Sequence, residues 1–196
     1  MNKTLMALLA AAGLCFAGAS SAQTTTTPHD KAARDQAIKT ADSQYKADKD
    51  ACKSLSGNAK DICMQEAKGK EKVAKADAKA QYDATPKARE NARLARAEAT
   101  YDVAKEKCDD LSGNQKDVCV KEAKAGYTKA KADAKVDRVA ADTSQTAVKK
   151  TADAKKDAAE DKRDADYKVA VEKCDSLAGA AKDTCVRDAK AKFGKT

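Results

Sequence analysis

Tryptophan is absent from this chain, phenylalanine occurs twice and histidine once. Large apolar side chains are also scarce after residue 23, because much of the 42% hydrophobic content is alanine. Such a chain cannot bury a thick core, and its composition sits near the boundary of disorder. No long apolar run follows residue 23, so no segment there is expected to span a membrane. With His29 the one histidine, and no close pairing of cysteines, the ligand pattern of a zinc site is missing. No C-x-x-C, Gly-rich phosphate loop or nucleophile motif occurs. The abundant carboxylates then read as solvated faces. These absences argue against an enzyme and give no reason to expect a metal or cofactor.

Proline is scarce too, at two residues, and the chain is rich in Ala, Lys, Glu, Gln and Arg, which favour helix. The expectation is an all-α chain of long, thin helices that need covalent support. The first residues, "MNKTLMALLAAAGLCFAGASSAQ", supply that context. Lys3 is a positive start, Leu5 to Ala17 a short apolar core, and Ser20-Ser21-Ala22 a small-residue cleavage site. The core is too short to span comfortably, which sets aside a retained anchor. Leu14 before Cys15 does not fit a lipoprotein signal. Residues 1–22 are thus expected to be a signal peptide, which makes the chain exported. Its removal takes one of the seven cysteines, Cys15. The remaining even set favours disulfides.

Those six cysteines punctuate a repeat. "CKSLSGNAKDIC" at 52–63 returns as "CDDLSGNQKDVC" at 108–119 and "CDSLAGAAKDTC" at 174–185. Tyr45, Tyr101 and Tyr167 precede the first cysteine of each unit, and Leu55, Leu111 and Leu177 follow it. Gly57, Gly113 and Gly179 suit a turn in which positive φ is needed. Asn58 and Asn114 are expected to be N-caps of the returning helix, with Asp61 and Asp117 as capping-box partners. Ala180 breaks this pattern in the third unit.

Each unit therefore reads as an antiparallel helical hairpin stapled across its turn. The expected bridges are Cys52–Cys63, Cys108–Cys119 and Cys174–Cys185, since each pair is local and flanks its own turn. Tyr101, Ala104, Cys108 and Leu111 follow an apolar stripe, as do Tyr167, Ala170, Cys174 and Leu177. Tyr127 and Phe193 on the returning helices should meet Tyr101 and Tyr167. Glu71 takes that place in the first unit, which should be the loosest. Thr85-Pro86 reads as an N-cap with proline at N1, and Thr143-Ser144 as a second break. The expected organisation is a mobile Thr-rich tail at 23–30 and three hairpins at 31–85, 86–143 and 144–196. Together they form an elongated array with little core.

One basic face invites a partner. Arg89, Arg93 and Arg96 recur at helical spacing, with Leu94 the one large apolar residue nearby. Three guanidinium groups could grip phosphates or carboxylates, or form an ordinary solvated face. Nucleic acid would suit a basic Ala/Lys-rich chain, but export argues against it. Anionic envelope polymers, lipid headgroups or another envelope protein fit better.

The stretches "KVAKADAKAQ" and "KAKADAKVD" resemble the Ala/Lys/Asp-rich stalk of TolA, which spans the bacterial envelope. "LSGNAKDIC" followed by "EAKGKEKVAKADAKAQY" resembles small exported proteins of Gram-negative bacteria described as TolA-like or cell-envelope biogenesis proteins. The likeness is closest over residues 45–83 and 101–137 and fainter over 167–193. It implies a periplasmic location with a structural or interaction role. A stress protectant resembling late-embryogenesis proteins, helical only when dried or bound, is the alternative. A helical periplasmic chaperone would need an exposed apolar cradle, and none is legible in the sequence.

Overall fold

The computed structural model describes residues 29–142 and 147–196. The expected signal peptide at 1–22, the tail as far as residue 28 and the Thr143-Ser144 break lie outside the described residues. The chain is all-helical there, with helices α1 (Lys31–Ala51), α2 (Gly57–Asp83), α3 (Pro86–Cys108), α4 (Gly113–Ala140), α5 (Ala147–Cys174) and α6 (Gly179–Phe193). A single 3-10 turn, Cys52–Ser54, follows α1.

The helix ends follow local chemistry. Asp30 caps α1 by accepting from the Ala33 N–H at 2.9 Å. Thr85 caps α3 by accepting from Ala88 N–H at 3.1 Å, with Pro86 in the first turn as its fixed φ favours. Ala84 ends α2 in the left-handed region at φ 52°.

Among the described residues each helix packs only on its neighbours in sequence. The partners run antiparallel: Lys75 pairs with Asp42 and Lys70 with Asp48 between α1 and α2. The same crossing order holds for Asp77–Arg96 and Glu66–Lys107 between α2 and α3. It holds again for Lys129–Asp166 and Lys121–Glu172 between α4 and α5. Helix directions consequently alternate, and the three cysteine-bracketed turns share one end.

Alanine does the packing. Apart from three cysteines and Val139, every buried apolar residue is Ala, including Ala67, Ala92, Ala95, Ala132 and Ala158. Small side chains let helix backbones approach closely, so contact comes from backbone and Cβ atoms rather than from large interdigitating groups. Among the described residues the largest fully buried side chains are Cys52, Cys108 and Cys174, at 0–1% exposure. Disulfides join them to Cys63, Cys119 and Cys185.

Tyr101 stacks on Tyr127 with ring centroids 5.4 Å apart, and Tyr167 meets Phe193 edge-on at 6.2 Å. These are the ring pairs that the antiparallel register requires. In the first unit Glu71 instead accepts from Lys75, which also holds Asp42, so an ion cluster replaces the aromatic pair. The apolar stripe expected on α3 and α5 ends short of its leucines. Leu111 and Leu177 are 40% and 43% exposed, and Leu55 matches them at 41%. Each leucine lies beyond its helix, where its N–H closes a tight turn back to the carbonyl of the cysteine three residues earlier.

Candidate functional site

Three features of this array could meet a partner: the edge carrying the stapled turns, the arginine face of α3 and a slot between α2 and α3.

At the stapled edge Gly57, Gly113 and Gly179 sit at φ 55–56°, where a Cβ would be strained. The glycines are the first residues of α2, α4 and α6. Ser56 and Ser112 therefore hold the cap positions of α2 and α4, without a side-chain capping bond. This overturns the expected capping role of Asn58 and Asn114, and Asp61 and Asp117 fall past the first turn. Asn58 Nδ2 instead donates to the Glu106 carbonyl at 3.0 Å, and Asn114 Nδ2 to the Glu172 carbonyl at 2.9 Å. Each asparagine links its own turn to the end of the next stapled helix. No helix follows α6 among the described residues, and there the asparagine is replaced by Ala180. The edge thus presents Leu55, Leu111 and Leu177 in register, held by disulfides below and asparagine links between.

The arginine face is occupied by the protein's own groups. Arg89, Arg93 and Arg96 do border one groove together with Ala92 and Asp77. Arg96 Nη2 grips both oxygens of Asp77 at 2.6 Å, across to α2. Arg93 reaches the opposite way, to Asp137 on α4. Arg89 donates to the Ala84 carbonyl at 3.0 Å, across the turn. The three guanidinium groups are thus already engaged within the protein. Antiparallel neighbours on both sides of α3 supply acidic residues that helical spacing within α3 cannot reveal. An external anion would have to compete with Asp77 and Asp137.

Farther along the same interface lies an apolar slot of about 730 Å³. Half-buried Val73 and Val103 face it, with Ala74, Ala99 and Ala104. Glu66, Lys70 and Lys107 stand at one end, Asp77 and Arg96 at the other. Gly69 forms part of its wall, and a Cβ there would lie 2.9 Å from Ala99 Cβ. This slot was not legible in the sequence because its two walls come from different helices, α2 and α3. The only local signal was Val73 and Val103 amid Ala and Lys.

Glu90 is the one buried charged residue among those described, at 8% exposure. Burial pushes its carboxyl up, but hydrogen bonds from Lys87 and Arg138, with their charges, outweigh this and hold it below the ordinary carboxylate value. Lys87 holds it within α3 and Arg138 reaches it from α4, which makes Glu90 a tie between the two helices. Among the described residues no group of His, Cys, Asp and Glu could hold a metal ion. None of the described helices is long and apolar enough to cross a membrane. No protein-family model, curated protein or solved structure matches this chain.

Proposed function

We propose that this chain is an exported, periplasmic repeat protein with a structural or interaction role in the cell envelope. In this reading it is an elongated row of three tandem stapled hairpins. The three disulfides carry the proposal. Each closes a local loop of sequence separation 11, and such bonds persist in oxidising compartments. The signal-like first segment and the resemblance to TolA-like exported proteins agree with that compartment. The row of like turns, at one edge and held in register by Asn58 and Asn114, supports an interaction role. The partner is an anionic envelope polymer, lipid headgroups or another envelope protein. Arg93 and Arg96 support the anionic choice, since their side chains remain about half exposed despite their internal pairs.

The test is expression of the full chain in a Gram-negative host, followed by osmotic-shock release. The expected product begins at Gln23, carries no free thiol and sediments with anionic envelope fragments at low salt. Replacing Arg89, Arg93 and Arg96 by Gln should weaken that sedimentation. Retention in the cytoplasm with reduced cysteines would overturn the location. Equal sedimentation of the Gln variant would remove the arginines from the role. If the oxidised protein were coil in dilute buffer and helical only on drying, the protectant reading would replace this one.

A further inference from the structure

The two interfaces between stapled hairpins, α2 with α3 and α4 with α5, share several cross-seam pairs at matching positions. Aligned on the cysteines, Arg96–Asp77 corresponds to Lys162–Asp133, and Lys107–Glu66 to Lys173–Glu122. The Asn58 link corresponds to the Asn114 link. Against this background the centres differ. In the α4–α5 interface Lys129 pairs with Asp166 at 2.5 Å across the seam. At the matching places between α2 and α3 stand Val73 and Thr100, which cannot form that bridge. Lys70 stands where the other interface has Gly126.

These differences have a joint consequence. Loss of the bridge uncovers an apolar floor of Val73, Ala74, Ala99, Val103 and Ala104. The added Lys70 places a second lysine in the lining at the end where Lys107 stands. Both lysines are held loosely, Lys70 to Asp48 at 3.7 Å and Lys107 to Glu66 at 3.6 Å, with side chains 68% and 57% exposed. The other end is closed by the two-point contact of Arg96 on Asp77. From Glu66 to Asp77 the slot runs about 16 Å, at roughly 1.5 Å per helical residue.

We propose that the α2–α3 slot binds one straight acyl chain bearing an anionic head. The chain lies over Val73 and Val103, and the head displaces the long ion pairs of Lys70 and Lys107. The apolar floor supplies the affinity, because taking methylenes out of water is favourable, and the two lysines at one end set the direction. A free fatty acid and the single chain of a lysolipid share this chemistry. The proposal does not depend on the periplasmic reading, since it concerns a site within the folded chain.

The experiment is calorimetric titration of the oxidised mature protein with laurate below its micellar concentration, with lysophosphatidylglycerol as a second arm. One site per chain is expected, and tighter binding in either arm identifies the source of the chain. V73K/T100D installs the bridge found at Lys129–Asp166 and should weaken laurate at least tenfold at unchanged helicity. K70Q/K107Q should weaken it severalfold. The reciprocal variant, K129V/D166T, should open a second slot and raise the stoichiometry to two, which reads the proposal even if V73K/T100D folds poorly. Absence of binding by the parent, or parent-like binding by folded V73K/T100D, overturns the proposal. So does a parent dimer that V73K/T100D dissolves, since a second copy would then be the occupant.

Discussion

Asn58 on α2 donates its side-chain amide to the backbone carbonyl of Glu106 on α3, at 3.0 Å. The bond joins two helices that carry different disulfides, so it fixes how α2 sits against α3. Its counterpart from Asn114 to Glu172 does the same one unit later. The Glu106 and Glu172 carbonyls already accept from the Asp109 and Asp175 backbone N–H groups, and each asparagine adds a second donor from the neighbouring helix.

This role separates from a capping role by a single substitution. Aspartate caps helices as well as asparagine does, but its ionised side chain cannot donate. N58D and N114D should each lower stability by about 0.5–1.5 kcal/mol, the usual worth of such a bond. N58A should cost a similar amount. Thermal melts of the oxidised protein test this: an N58D variant as stable as the parent would show that the donation contributes nothing. A180N should leave stability unchanged, because no described helix lies beyond α6 to accept.

Gly69 controls the close approach of α2 to α3. An added Cβ would stand 2.9 Å from Ala99 Cβ, and neither atom belongs to a flexible side chain that could swing away. Alanine is the better helix former by roughly 1 kcal/mol, whereas overpacking costs about 1–3 kcal/mol. G69A should therefore be destabilising on balance. The exchange G69A/A99G moves the methyl group to the other wall and should recover most of the loss. Chemical denaturation of the three proteins decides it; a stabilised G69A would mean the helices separate freely at this point.

Acid should loosen the array. Hydrogen bonds from Lys75, Lys53 and Lys195, respectively, hold Asp42, Asp50 and Asp164 below the ordinary carboxylate value. Glu90 is also held low, against its own burial, by Lys87 and Arg138. A carboxyl depressed in the folded state adds stability that is complete above its unfolded value, about 4, and lost as pH falls through the folded value. Melting temperature should thus hold down to about pH 5 and fall progressively below about pH 4. E90Q should be less stable than the parent at neutral pH, and the gap should close in acid, where Glu90 is itself neutral. A gap independent of pH would show that the charge of Glu90 is not what ties α3 to α4. Lys75 and Lys116 are held high by Asp42 and Asp109. Their contribution has the opposite sense, present at neutral pH and lost in strong alkali.

Relations along one helix, or across one short turn, were legible in the sequence. The Thr85-Pro86 start follows from capping chemistry, and the positive φ at Gly57 and the meeting of Tyr101 with Tyr127 follow from spacing about one cysteine-bracketed turn. What escaped was the seam between repeats. The reach of Asn58 to Glu106 spans 48 positions, and the Asp77 partner of Arg96 sits on another hairpin. No periodicity within a helix encodes either. The exposed leucines were misplaced for a related reason. Spacing continued a helical stripe to Leu111, but the chain leaves the helix after Cys108 and turns. The alanine core was hidden by composition, since Ala stands on buried and exposed faces alike.

The disulfides should not matter equally, and the contacts of each helix say which matters most. A bridge closing so short a loop contributes roughly 3 kcal/mol in the chain-entropy model. Helices α3 and α4 each pack on a second neighbour besides one another. Removing Cys108–Cys119 leaves those outer contacts in place. Among the described residues helix α6 packs on α5 alone, spans 15 residues, and holds its far end by the Phe193–Tyr167 contact and the Lys195–Asp164 pair. An isolated helix of that length is marginal in water. C174A/C185A should therefore release α6, while C108A/C119A keeps α3 and α4 helical at a lower melting temperature. Hydrogen exchange reads the difference directly: amides of residues 180–193 should lose protection in the first variant and retain it in the second. Equal protection of α6 in both would mean that packing on α5 alone suffices, and that the third staple serves the edge at Leu177 rather than the helix.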